Sequence, residues 1–538
     1  MDPIPSRPCP TWTKLPVSRS SSSTFSVPSG HRRRGQVSSR RAPEPRLLLV
    51  LGALRLTLDR PTLPAALGPL SSSALAQYRT LLFGKPSDCL RHRFKALLQL
   101  AHDHISAQPY ASVPTSARRF YSEVGLLWSL VDTLTPEARS EVDWEEAVGR
   151  LDRVLIIAGA PGRVDLVLAL IEHVQEAYLP SRLPPLSPRM EATSSPPPTK
   201  RSRHKGPSAS TGPLLAPNEI PRLAEPPSLS AYLKIWLDRP FILPGYLVKA
   251  GWPALVDPRR RWKDGAYLLR TGGRGRVVPV EVDAAQQTGR EDSGGGGGYT
   301  DAGWGQALLP WDEFLERAGF LRPAAVVAED GEEKASVAAP IKRPPLYLAQ
   351  HDLFFQFPGL ARDILTPDYV YASPPSGPDA AYEPPTTDSG VITNVWVGDA
   401  GRGSPAHTDP FYNCYAQVVG RKRVLLVPPT HHAAMYPYAA SSGADDAATS
   451  AASGSDDDDD NDDDTGEGAT ALMSNTSRLP LLQGTPPSRT RFPRFYAEAL
   501  PDALEGVLDE GDLLVLPVGW WHAMRMEGGP GWGCSFWY

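Results

Sequence analysis

Cysteine is scarce: four in 538 residues, at Cys9, Cys89, Cys414 and Cys534, with no CxxC spacing. That scarcity excludes a disulfide framework and a thiolate zinc site, and it fits a reducing compartment. Long apolar runs are missing as well. The longest, Leu47 to Leu54, falls far short of the ~20 residues with which a helix crosses a bilayer. Neither sign of charge dominates, since the formal net charge is only -5, so the chain as a whole is no polycation built for nucleic acid. The expectation is a soluble intracellular protein with no membrane partner and no direct nucleic-acid partner. Nucleus and cytoplasm both fit it, and a mitochondrial location stays open.

Abundant Pro and Gly, 58 and 46 residues, suggest globular parts separated by irregular stretches. Residues 1–45 are rich in Ser, Pro and Arg with only Asp2 and Glu44 acidic. Such a tail buries too little apolar surface to order itself. The same composition suits a mitochondrial transit peptide, although its prolines oppose an amphipathic helix. From 46 to 183 the apolar period becomes helical. After a cap-like Asp143, the residues Trp144, Val148, Leu151 and Leu155 share a face. Val167, Leu170, Ile171 and Val174 repeat the spacing, and Phe94, Leu97 and Leu98 mark an earlier helix. This α-helical domain, read as stacked hairpins, carries no chemistry and suits packing or the docking of a partner protein.

Residues 184–226 read as a Pro/Ser linker containing the basic run Lys200 to Lys205, either a nuclear-localisation patch or a solvated stretch. Beyond it, from 227 to 538, short strand-like runs alternate with turn signals: Val277 to Val282, Val391 to Val397, Tyr415 to Val419, Val424 to Val427 and Leu513 to Leu516. Trp304 to Phe320 reads as a helix. The class is α+β, with an all-β sandwich or barrel following the helices. Two low-complexity insertions, at about 284–298 with a Gly run and about 440–475 with an Asp run, read as disordered rim loops. The acidic one is either solvated or a dock for a basic partner.

The chemistry concentrates in a few places. His407 and Asp409 stand two apart after a strand-like run, a spacing that on extended backbone turns both to one face. His522 follows another strand. Two His and one carboxylate make a facial triad that leaves open positions on Fe(II). Alone, His-x-Asp describes many surface histidines. Here Lys422 follows thirteen residues after Asp409, and a strand-borne lysine aimed into the same barrel supplies the cation for a dicarboxylate. Without the triad it would read as an edge-strand lysine.

These segments resemble the JmjC-domain oxygenases, specifically those of arginyl-hydroxylase type. The resemblance lies in Asn394 to Gly398, Ser404 to Pro410, Gln417 to Lys422, Gly511 to His522 and Cys534 to Trp537, supported by Ile220 to Leu223, Val278 to Val282, Tyr299 to Trp304 and Tyr347 to Phe354. It implies a double-stranded β-helix of about eight strands, a jelly roll with flanking helices. It also implies Fe(II), 2-oxoglutarate as co-substrate, and dioxygen. His407, Asp409 and His522 would ligate iron. Lys422, helped by Tyr347 and Ser404, would hold the far carboxylate, and Asn413 would meet the near end. Glu281, Tyr299, Trp304 and Trp396 match substrate-lining positions, and a carboxylate among aromatics suits a guanidinium. The implied activity is oxidation of an arginyl side chain in a protein. Histone methyl-lysine demethylation, a non-catalytic interaction module, and a cupin-like isomerase or storage protein are the alternatives. Two features depart from the family: the long acidic insert between Asp409 and His522, and the Gly-rich insert before Tyr299.

Overall fold

The computed structural model describes residues 88–109, 112–134, 142–179, 215–283, 304–321, 346–375, 382–438 and 475–538. The N-terminal tail, the basic run in the linker, both low-complexity insertions and Tyr299 lie outside the described residues.

Four helices account for the 3.6-residue periodicity: α1 Asp88–Ser106, α2 Thr115–Leu134, α3 Trp144–Ala158 and α4 Val164–Tyr178. At the start of α3 the Asp143 carboxylate accepts from the Glu146 amide, and Gly159 closes it in the left-handed conformation. Val148, Leu151 and Leu155 are buried, while Trp144 stacks on Tyr178 at 3.8 Å. On α4 the buried set is Val167, Leu170, Ile171 and Val174, the stripe the spacing predicts.

The helices are tied to the β domain by a buried ion pair. Asp152 on α3 accepts both Arg276 Nε, at 2.8–2.9 Å, and the Val277 amide. Arg276 also donates to the Gln356 carbonyl and lies over the Phe357 ring. Gln175 on α4 caps the carbonyls of Gly272 and Arg274.

Among the described residues eleven strands form one hydrogen-bonded network. They are β1 Asn218–Glu219, β2 Phe241–Leu243, β3 Val277–Asp283, β4 Trp304–Pro310, β5 Tyr347–His351 and β6 Ile392–Gly398. The rest are β7 Gly403–His407, β8 Asn413–Val427, β9 Leu504–Leu508, β10 Leu513–Leu516 and β11 Trp521–Trp537. β8 and β11 run through two layers. The first half of β8 pairs with β10 and the last third of β11, and that layer continues through β6, β5, β3 and β4. Its second half pairs with β9 and the first half of β11, where β7 joins. The chain turns between layers at Gly420, whose φ of 73° suits glycine and where a Cβ would collide with the Pro530 carbonyl. The eight-strand expectation thus becomes eleven strands wrapped into two facing sheets, a jelly roll.

Strand alternation then builds three cores. Outward residues of the larger layer, such as Val395, Cys414 and Trp532, pack on flanking segments carrying Trp252, Trp262 and Trp311. Leu425, Val427 and Ala523 face Met435, Phe492 and Phe495 outside the smaller layer. Tyr347, Trp396, Tyr415, Val424, Leu426 and Met524 point between the layers.

Two expectations change. Trp304 to Phe320 is not one helix. Trp304–Pro310 forms β4, in register with β3, and only Trp311–Arg317 (α5) is helical. Residues 215–223, expected in the linker, belong to the barrel: Ile220 is buried, β1 runs beside β9, and Glu505 accepts the amides of Leu215 and Ala216.

Candidate active site

His407 ends β7 directly opposite His522 on β11, with ring centroids 4.1 Å apart. Asp409 lies just past β7, not on it as the two-residue spacing suggested. Its carbonyl accepts the Gly519 amide at 3.1 Å. Its carboxylate oxygens lie 3.8 Å from His407 Nε2 and 3.5 Å from His522 Nε2. The three ligand atoms fall within 4.8 Å of one another, close enough to hold one metal ion.

The imidazoles are oriented for that task. His407 Nδ1 faces the Pro405 carbonyl at 2.8 Å and His522 Nδ1 the Trp520 carbonyl at 3.0 Å. A carbonyl only accepts, so each Nδ1 carries the proton and each Nε2 presents a lone pair. Burial, reinforced by the neighbouring His407, pushes His522 down to about 4, which keeps it a neutral ligand. Two imidazoles and one carboxylate suit a divalent transition ion with open positions.

Deeper between the layers, Lys422 on β8 is 1% exposed. Its ammonium donates to Tyr415 Oη at 2.7 Å and Tyr347 Oη at 3.2 Å. No carboxylate among the described residues pairs with it, and burial pushes it down to about 7. Such a cation calls for an anion. The Ser404 side chain also acts on the Tyr347 phenol, opposing the upward push of its burial. Asn413, at the head of β8, is buried with no hydrogen-bond partner on its Oδ1; that oxygen only accepts, so it is the amide Nδ2 that would donate to an anion. The residues present therefore fit both a metal ion and a dicarboxylate beside it.

Of the expected substrate residues, Glu281 is half-buried on β3 in register with Tyr347 and acts electrostatically on that phenol. Trp396 is 8% exposed, donates its indole N–H to Ser535 at 3.0 Å and lies 6.2 Å from the Tyr347 ring. It thus forms the wall behind Lys422, whose Nζ is 6.0 Å from its ring. Trp304 takes a register position opposite Asp283. Tyr415 was missed, although alternation places it on the same strand face as Asn413, two residues before it.

The profile of the cupin-like domain matches residues 237–538. The chain belongs to this cupin-like JmjC oxygenase family. Among curated relatives, Jumonji C domain-containing protein 5 of Drosophila melanogaster is 28% identical over 53% of this chain and 52% of its own length. Lysine-specific demethylase 8 of Xenopus tropicalis is 27% identical over 57% and 50%, and that of Danio rerio 28% over 62% and 68%. The chain spans about half the length of the fly and frog proteins. In this member of the cupin-like JmjC family no helix among the described residues is long and apolar enough to cross a membrane.

Proposed function

We propose that the chain is an Fe(II)- and 2-oxoglutarate-dependent protein oxygenase that hydroxylates an arginyl side chain. Lys422 carries the reading: a fully buried ammonium bonded, among the described residues, only to neutral hydroxyls, between the same two sheets as the His407, Asp409 and His522 cluster. Bound Fe(II) and 2-oxoglutarate supply, with dioxygen, an oxidant strong enough to functionalise an unactivated C–H bond, yielding succinate and carbon dioxide. The protein does the rest. His407 and His522 offer their Nε2 atoms and Asp409 a carboxylate oxygen, leaving one side of the ion open. Lys422, Tyr347 and Ser404 receive the far carboxylate, and Asn413 meets the near end. Trp396, Met524 and Leu426 keep water from the cavity between the sheets. Glu281 supplies the carboxylate that a guanidinium would pair with. The helical region is the proposed docking module, and the basic linker run supports a nuclear address.

Methyl-lysine demethylation is the second reading, favoured by the name that the frog and fish relatives carry. Incubating the full chain with iron, 2-oxoglutarate and either arginine- or methyl-lysine-bearing peptides, followed by mass analysis, separates the two. Gain of one oxygen on the arginine peptide supports hydroxylation. Loss of a methyl group supports demethylation, and no iron-dependent succinate would sink both.

A further inference from the structure

The Tyr415 hydroxyl is placed unlike an ordinary core phenol. Tyr415 is 2% exposed, and its hydroxyl's partner among the described residues is the Lys422 ammonium, 2.7 Å away. In its charged form, the one that an anion selects, Lys422 can only donate, so the phenol oxygen accepts and its own proton has no acceptor among the described residues. A buried donor without an acceptor is rare in native proteins and points to something absent. Tyr347, the other phenol on Lys422, has the Ser404 side chain acting on it, whereas no hydrogen-bonding side chain acts on Tyr415 besides Lys422 among the described residues.

The sheet is built to admit this phenol. Tyr415 pairs with Ser535 across β8 and β11, and its diagonal neighbour is Gly533. A Cβ on Gly533 would collide with the Tyr415 hydroxyl. The missing side chain leaves the space that the end of the Tyr415 ring and its hydroxyl occupy beside Lys422. Gly533 is thus where close approach, not backbone freedom, requires glycine.

We infer that Tyr415 is a positioning residue for the co-substrate, donating its hydroxyl proton to the distal carboxylate that Lys422 neutralises. The inference rests on the 2-oxoglutarate reading above. The distal anion would then be gripped by a cation and a phenol that are already bonded to each other. Preorganisation of this kind favours a dicarboxylate over a 2-oxo acid ending in methyl, because an apolar end would leave the phenol proton and the ammonium unmatched.

The test is calorimetric titration of the full chain, loaded with Mn(II), with 2-oxoglutarate and with 2-oxopentanoate, in wild type and Tyr415→Phe. Phe keeps the ring in that space, and Mn(II) affinity reports whether the metal cluster is intact. Expected is 2-oxoglutarate binding roughly tenfold to a hundredfold weaker in the variant, the loss of one hydrogen bond to a charged group, with 2-oxopentanoate and Mn(II) affinities unchanged. If the variant binds 2-oxoglutarate as wild type does, while wild type still prefers it to 2-oxopentanoate, the role of Tyr415 is overturned and the oxygenase reading stands. Equal weakening for both acids would assign the effect to the shape of the pocket, and overturn it too. A wild type that does not discriminate between the two acids would remove the co-substrate reading itself.

Discussion

Replacing Lys422 by methionine should make the protein more stable and blind to its co-substrate. Lys422 is 1% exposed, and burial lowers it from its ordinary 10.5 to about 7. At 1.36 kcal/mol per unit, holding the charged form inside destabilises the fold by about 5 kcal/mol. Methionine of similar length removes that penalty but takes a hydrogen bond from each of two hydroxyls, Tyr415 and Tyr347, at about 0.5–1.5 kcal/mol apiece and so about 1–3 kcal/mol together. The net gain is about 2–4 kcal/mol below pH 7. The sign follows from the direction of the shift: the folded value lies below the unfolded one, so the penalty is fully present below pH 7. It fades as pH rises toward 10.5. By about pH 9 only ~2 kcal/mol of it remains and the gain falls to near zero. Urea denaturation of wild type and Lys422→Met without co-substrate, at pH 6.5 and pH 9, reads this directly. With Mn(II) present, 2-oxoglutarate should raise the wild-type midpoint and leave the variant's unmoved. A variant less stable than wild type at pH 6.5 would refute the claim that an uncompensated buried charge sits here.

His407→Ala or Asp409→Ala should abolish succinate formation at saturating iron, and turnover in either would refute the ligand assignment. Asp152→Ala strands the buried Arg276 guanidinium, so a loss of about 3–5 kcal/mol is expected by chemical denaturation. A neutral result would mean the pair does not tie the helices to the barrel. Glu281→Ala should raise the KM for an arginine peptide about tenfold, the loss of a charge-assisted hydrogen bond. Its 2-oxoglutarate turnover without peptide should be unchanged, and equal loss of both activities would move Glu281 out of substrate binding.

The metal cluster was legible in the sequence because its residues sit at fixed offsets from strand ends, and backbone pairing does the rest: His407 and His522 face each other as cross-strand partners. The faces of α3 and α4 were legible because their burial follows the local 3.6-residue period. Trp304–Pro310 was not. Leu308, Leu309, Trp311, Phe314 and Leu315 recur at helical spacing and contain no β-branched residue, yet pairing with β3 overrides that preference and the helix begins only after Pro310. The role of Tyr415 was invisible for a related reason. Gly533 is over a hundred residues away, and only the register between β8 and β11 brings it beside the phenol. Likewise, nothing local marks Asp152 as the partner of Arg276.

β8 and β11 each serve both layers, with consequences for what variation the chain tolerates. Almost every residue of either strand is buried, between the layers or in an outer core, and the exceptions gather at the bends. There is little solvent-facing side on which a substitution can hide. Lys422, Asn413, Tyr415 and His522 all ride on these two strands, so drift there alters chemistry and packing at once. Sequence novelty is left to the connections, and the Gly-rich and Asp-rich inserts lie in such connections, between β3 and β4 and between β8 and β9.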